Sequence, residues 1–143
     1  GGTKCGALFG EALVLVNPAL GDHFRTCMKQ RGDVLAKGWL MGLQFYTLFQ
    51  NGLYFDLARK ADRQAMEIKA AFQKAGIPLW VDSPTNQQFA VVSREQDAAL
   101  AKDFIFELSH AVDEGHNCIR FCTSWSTRDE EVAALIAAIG RLN

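Results

Sequence analysis

Residues 34–49 (Val-Leu-Ala-Lys-Gly-Trp-Leu-Met-Gly-Leu-Gln-Phe-Tyr-Thr-Leu-Phe) constrain the fold of this chain more than any other stretch. Wound as a helix, they spread Leu35, Trp39, Leu40, Leu43, Phe45, Tyr46, Leu48 and Phe49 around the axis and leave scarcely a polar face. A helix that is apolar all round must be covered on all sides, inside a larger domain or in a subunit interface. A chain of 143 residues supports one modest core, too small to cover such a helix alone. The stretch therefore predicts a missing part of a larger domain, and a dimer.

Residues 1–10 hold the second informative pattern, Gly1-Gly2-Thr3-Lys4-Cys5-Gly6-Ala7-Leu8-Phe9-Gly10. Glycine lets backbone approach a bulky ligand closely and adopt positive φ at little cost. An amine held out of bulk water loses charge readily and becomes nucleophilic, so Lys4 is a candidate for covalent bonding to a carbonyl cofactor. The alternative on spacing alone is an ordinary glycine-rich turn with a solvated lysine. Thr3 adds a hydroxyl at the same place, or serves as a plain turn residue.

The rest of the chain divides near residue 53. Residues 11–16 are apolar after Glu11 and suit a strand covered on both faces. Asn17-Pro18 reads as a helix start, with a short helix over 19–30 whose apolar side is Phe24, Cys27 and Met28 and which stops near Gly32. Asn51-Gly52 is a break. An amphipathic helix follows over 54–75, with Leu57, Ala61, Ala65, Ile68 and Phe72 at helical spacing, ended by Gly76 and kept ended by Pro78. Strands are expected over 79–82, 88–92, 104–108 and 118–122. Ser93 with Gln96, and Thr127 with Glu130, read as capping boxes for two helices. Strands that neighbour in sequence with helices on one side suggest an α+β layer. The predicted domains are 1–53, the end of a large domain, and 54–143, a small α+β domain.

In Cys118-Ile119-Arg120-Phe121-Cys122 a guanidinium sits mid-strand among apolar neighbours, on the face of the two cysteines. A half-buried charge requires an anion, and the planar fork matches a carboxylate bidentately. That carboxylate belongs either to a ligand or to a neighbouring side chain such as Glu107. His23, His110 and His116 lack metal-ligand spacing, and no metal site is expected. Trp39, Trp80 and Trp125 read as core or interface residues.

Several of these segments together resemble the low-specificity L-threonine aldolase and β-eliminating lyase family. The resemblance is carried by Gly1-Gly2-Thr3-Lys4, Gly6-Ala7-Leu8-Phe9-Gly10-Glu11-Ala12, Lys29-Gln30-Arg31-Gly32, Leu35-Ala36-Lys37-Gly38, Ser83-Pro84-Thr85-Asn86-Gln87 and Arg120-Phe121-Cys122-Thr123-Ser124-Trp125. It implies an α/β fold of the PLP-dependent transferase type (fold type I), of which this chain matches only the C-terminal portion: the end of the large domain and the small domain. It implies pyridoxal 5'-phosphate (PLP) as cofactor, Lys4 as the lysine bonded to it, Thr3 as a partner of its phosphate, and Arg31 and Lys37 as basic residues nearby, though solvated charges would look the same. It implies Arg120 as the group that grips the carboxylate of a small amino-acid substrate. The activity implied is cleavage of the Cα–Cβ bond of L-threonine or L-allo-threonine in a homodimer or homotetramer. The missing N-terminal part of the enzyme would supply a phosphate-binding loop, a ring-stacking aromatic and an acid for the ring nitrogen, so the isolated chain is expected to be inactive. Other PLP reactions, β-elimination or transamination, would use the same two residues. A non-catalytic α+β interaction module docking through the apolar helix is the reading from a different class.

Composition narrows the classes. A net charge of −1 lacks the basic concentration that nucleic-acid surfaces require. No apolar run reaches the length of a membrane span. Cys5, Cys27, Cys118 and Cys122 form no CxxC pair and no zinc spacing, and four unpaired thiols suit a reducing cytoplasm.

Overall fold

The computed structural model describes residues 1–142. The chain forms two compact units, Gly1–Phe55 and Asp56–Asn143, taken here one at a time.

In the first unit the chain opens with a 3-10 turn at Thr3–Cys5. Residues 11–16 adopt no regular structure and are exposed, which corrects the expected strand. A strand must hand its N–H and C=O groups to neighbours on its edges, and the described residues of this unit contain no other strand. Asn17 does cap, its side chain accepting from the Ala19 N–H at 3.1 Å, but it starts a 3-10 turn over Pro18–Gly21 rather than the expected helix over 19–30. His23, at φ 55°, interrupts the ladder, and helix α1 runs only over Phe24–Gln30. Gly32, at φ 80°, closes that region. Helix α2, Trp39–Phe49, is the apolar helix of the sequence but is shorter than the 34–49 expected, because residues 34–38 form coil and a turn ahead of it. Only Leu48 is buried on it; Trp39 is 63% and Tyr46 66% exposed. The expected lack of a self-made cover is therefore visible in the chain.

Helix α3, Leu53–Lys74, begins after a kink at Asn51 (φ 54°). Within the second unit it buries Ala61, Ala65, Ile68 and Phe72 of the stripe expected from a 3.6-residue period, and Gln64 beside them, while Leu57 is only half-buried. Gly76, at φ 69°, stops it, and Ile77 and Pro78 lead into the sheet. The sheet has three antiparallel strands in the order β1-β3-β2: β1 is Gln87–Ser93, β2 Glu107–Ala111 and β3 His116–Cys122. Between β1 and β2 lies helix α4, Arg94–Leu100. Its capping box is present as expected: Gln96 N–H donates to Ser93 Oγ at 3.2 Å, and Ser93 N–H donates to Gln96 Oε1 at 3.0 Å. Helix α5, Asp129–Ile139, ends the unit.

The core lies on one face of this sheet. Ala90 and Val92 of β1 and Ile119 and Phe121 of β3 meet Ile68 and Phe72 of α3, Leu100 of α4, and Val132, Leu135 and Ile139 of α5. Strand alternation sends residues 118, 120 and 122 to the opposite face.

Three further expectations are corrected here. Residues 79–82 make only a single bridge, Leu79 to Ala90; Pro78 and Pro84 lack the N–H donors that a longer ladder would use. The strand expected over 104–108 lies at Glu107–Ala111, because Phe104 and Phe106 are committed to the core before pairing with β3 begins. The cap of α5 sits one residue later than Thr127 and Glu130. Arg128 N–H donates to Glu131 Oε2 at 3.1 Å, while the Thr127 hydroxyl is engaged by the Ser124 N–H at 3.0 Å. Among the described residues no helix is long and apolar enough to cross a membrane.

Candidate functional site

The glycine-rich segment is a folded-back turn. The N–H groups of Cys5 and Ala7 both donate to the Gly2 carbonyl at 3.0 Å. Gly6 and Gly10 take φ of 99° and 95°, a region side chains rarely enter. Cys5 and Ala7 turn inward and are buried, while Thr3 and Lys4, just ahead of them, are exposed. Gly2 is buried too: a Cβ there would stand 2.8 Å from Ala7 Cβ and 3.0 Å from Phe45 Cζ.

Helix α2 and the start of α3 hold the turn in place. Gln44, the lone amide in the apolar stretch, accepts the Leu8 N–H at 2.7 Å and donates to the Phe9 carbonyl at 3.3 Å. Tyr54 donates its hydroxyl to the Gly1 carbonyl at 3.3 Å. Burial, and then the neighbouring Cys5 thiol, push the Tyr54 phenol above its ordinary value, so it remains a donor. Sequence reasoning singled out neither Gln44 nor Tyr54. A polar residue interrupting an otherwise apolar helix was the available signal for Gln44.

Arg31 follows the last turn of α1 as its C-cap, and Lys37 lies in the turn that leads into α2. Both are exposed. Among the described residues, the side chains of Thr3, Lys4, Arg31 and Lys37 make no hydrogen bond or ion pair, with one another or with other groups. Three cations and a hydroxyl are thus left without protein partners. An amine able to bond an aldehyde, with cations and a hydroxyl able to meet a phosphate, is a donor set that fits PLP.

Arg120 belongs to the second unit, in the middle of β3, opposite Phe89 of β1 and Glu107 of β2. Its Nη2 pairs with the Glu107 carboxylate, the side-chain alternative weighed in the sequence. Its Nη1 donates to Gln87 Oε1 at 3.0 Å. The guanidinium is held from both flanking strands and remains 34% exposed. On the same strand face, Cys118 is fully buried, and burial raises its thiol above the ordinary value. Trp80 meets His110 edge-on, with ring centroids 4.6 Å apart; Trp39, Trp80 and Trp125 are all exposed in this chain.

The Ser83-Pro84-Thr85-Asn86-Gln87 segment is a hydrogen-bonded turn. Asn86 Nδ2 donates to the Thr123 carbonyl at 2.7 Å, and Thr123 N–H donates to the Asn86 carbonyl at 3.0 Å. Thr123, itself buried, donates its hydroxyl to the Ala61 carbonyl of α3 at 2.7 Å. Two of the segments quoted in the sequence therefore serve to fasten the end of β3, and with it the frame that carries Arg120.

No protein-family model and no curated protein sequence matches the chain. Solved structures do. A Leishmania major threonine aldolase superposes with a TM-score of 0.90 at 37% identity, over 99% of this chain and 42% of that one. A Sphingomonas wittichii serine palmitoyltransferase superposes with a TM-score of 0.57 at 11% identity, over 72% of this chain and 27% of that one, a likeness of fold alone. The chain thus spans 42% of the length of the Leishmania protein it matches. On fold, on identity and on the near-complete coverage of its own residues, this chain belongs to the threonine aldolase family of PLP-dependent fold type I enzymes, as a C-terminal portion.

Proposed function

We propose that this chain is part of a PLP-dependent aldehyde-lyase that cleaves the Cα–Cβ bond of L-threonine or L-allo-threonine to glycine and acetaldehyde. The observation that carries the reading is the superposition on a threonine aldolase at 37% identity over 99% of the chain. When bound, the cofactor supplies withdrawal of electrons from the bonds to the substrate Cα.

The chain's own residues would do the following. Lys4 would hold the cofactor aldehyde through its amine and, once substrate takes its place, move protons near Cα. The exposed, unpartnered Thr3 hydroxyl and the Arg31 and Lys37 cations would meet phosphate. Arg120 would bind the substrate carboxylate and so fix which bond at Cα is aligned for cleavage. The exposed apolar face of α2 supports assembly with the rest of the enzyme and with a second copy, as a homodimer or homotetramer.

The test is turnover of the complete PLP-loaded enzyme on L-threonine, L-allo-threonine and L-serine. Glycine and acetaldehyde from the first two, lost in Lys4→Ala, are the expected result. Pyruvate and ammonia from L-serine, without glycine from either threonine, would assign β-elimination instead.

A further inference from the structure

We propose that Glu107 is a built-in competitor for Arg120. It is an in-chain carboxylate that occupies the guanidinium until a substrate carboxylate displaces it, and it thereby sets affinity for the amino-acid substrate. The inference rests on the reading of Arg120 as the carboxylate-binding group.

Three observations carry it. Glu107 stands directly opposite Arg120 in the β2–β3 register, and its carboxylate pairs with Nη2. It is the same functional group that a substrate would present to the same donors. Gln87 holds Nη1 from the other flank with a neutral amide oxygen, so the fork keeps an anchor when Glu107 lets go. The Glu107 side chain is 67% exposed whereas that of Arg120 is 34% exposed. The carboxylate can swing into water, where it is solvated, while the guanidinium stays on its strand. A guanidinium carries five N–H donors, and two are engaged here. The partner that must yield is the one whose negative charge cancels the attraction an incoming carboxylate needs.

Exposed ion pairs are weak, so displacement costs little and the effect on affinity is modest. Glu107→Gln removes the charge but keeps an acceptor of the same length. In the complete PLP-loaded enzyme it should lower KM for L-threonine about two- to fivefold and tighten equilibrium binding of glycine by the same factor, with the change falling on KM rather than kcat. Glu107→Ala should act in the same direction. In an Arg120→Gln background, Glu107→Gln should change neither quantity.

A KM and glycine affinity that are unchanged or weakened in Glu107→Gln, while Arg120→Gln raises KM strongly, would overturn the competitor and leave the role of Arg120 standing. An Arg120→Gln enzyme with unaltered KM would overturn both.

Discussion

Replacing Gly2 by Ala tests whether the turn around Lys4 depends on close backbone packing. Two effects oppose each other. Gly2 has φ −86° and ψ −33°, a conformation Ala adopts freely, so the substitution reduces unfolded-chain entropy and favours the folded state by about 0.4–1 kcal/mol. Against that, the new Cβ would stand 2.8 Å from Ala7 Cβ, 3.0 Å from Phe45 Cζ and 3.2 Å from the Gly10 carbonyl. Two of these three neighbours belong to the turn itself and the third is a ring, so none yields as a flexible chain end would. Overpacking of this kind costs about 1–3 kcal/mol. The steric effect prevails, with a net loss of about 1 kcal/mol, or about fivefold in the opening equilibrium. Amide hydrogen exchange reads it directly, because the Cys5 and Ala7 N–H groups both end on the Gly2 carbonyl. Their protection should fall about fivefold, while amides in β1 and β3 keep theirs. Protection at Cys5 and Ala7 that is unchanged or increased in Gly2→Ala would refute the packing argument. Gly42 supplies the control: it lies within α2 with nothing within 4 Å of its would-be Cβ. Gly42→Ala should raise the stability of α2 by about 0.8–1 kcal/mol.

Lys4→Ala should lower turnover of the complete enzyme at least about a thousandfold while leaving the unfolding curve of the cofactor-free enzyme unchanged, since the side chain is exposed and unpartnered in this chain. The isolated chain, titrated with PLP, should show no visible absorption band of native strength, and such a band would show that these residues suffice for binding. Phe72→Ala removes a fully buried ring that packs on Phe121 with centroids 5.9 Å apart, and urea unfolding should show a loss of about 3–5 kcal/mol. Thr123→Val removes the buried hydroxyl that reaches the Ala61 carbonyl, for about 1–2 kcal/mol by the same assay. The His116 ring, then the Gly115 N–H, hold the Asp113 carboxyl below its ordinary value of 3.8. A lowered carboxyl stabilises the folded state above its unfolded pKa and loses that contribution as pH falls through the folded value. Melting temperature against pH should therefore drop less steeply below 3.8 in Asp113→Asn than in the parent chain.

The elements that were legible in the sequence are those whose signal is local. The α3 stripe repeats at 3.6 residues, and Ser93-x-x-Gln96 closes a capping box from four consecutive residues. β1 alternates cleanly between buried and half-buried positions, and β3 is found where its apolar run lies, with Cys118 and Ile119 buried on opposite faces. What failed depended on partners further away. The apolar run at 11–16 has the composition of a buried strand, but composition supplies no neighbour to pair with. The cap of α5 slipped by one because Thr127-x-x-Glu130 and Arg128-x-x-Glu131 overlap, and the choice was made by Ser124, whose N–H claims the Thr127 hydroxyl. The pairing of 79–82 was cut short by prolines that the turn-rich reading of 83–86 had only half used.

The site was legible in a different way. Nothing in the spacing of Gly2, Thr3 and Lys4 separates a cofactor lysine from a lysine on a turn, because both need backbone that folds back and leaves the amine outside. The structure explains that ambiguity: Cys5 and Ala7 turn inward and Lys4 outward whether or not a ligand waits there. For Arg120 the two readings, ligand carboxylate or Glu107, invoke one functional group on one guanidinium, so residue types alone could not rank them. The register decides which partner is present within the chain, and it is Glu107. That finding does not displace the ligand reading, since an exposed carboxylate on a flexible stem is a partner that another carboxylate can replace. The charge of Glu107, and not merely its reach, is thus the quantity that distinguishes a strand-to-strand fastening from a site kept occupied until substrate arrives.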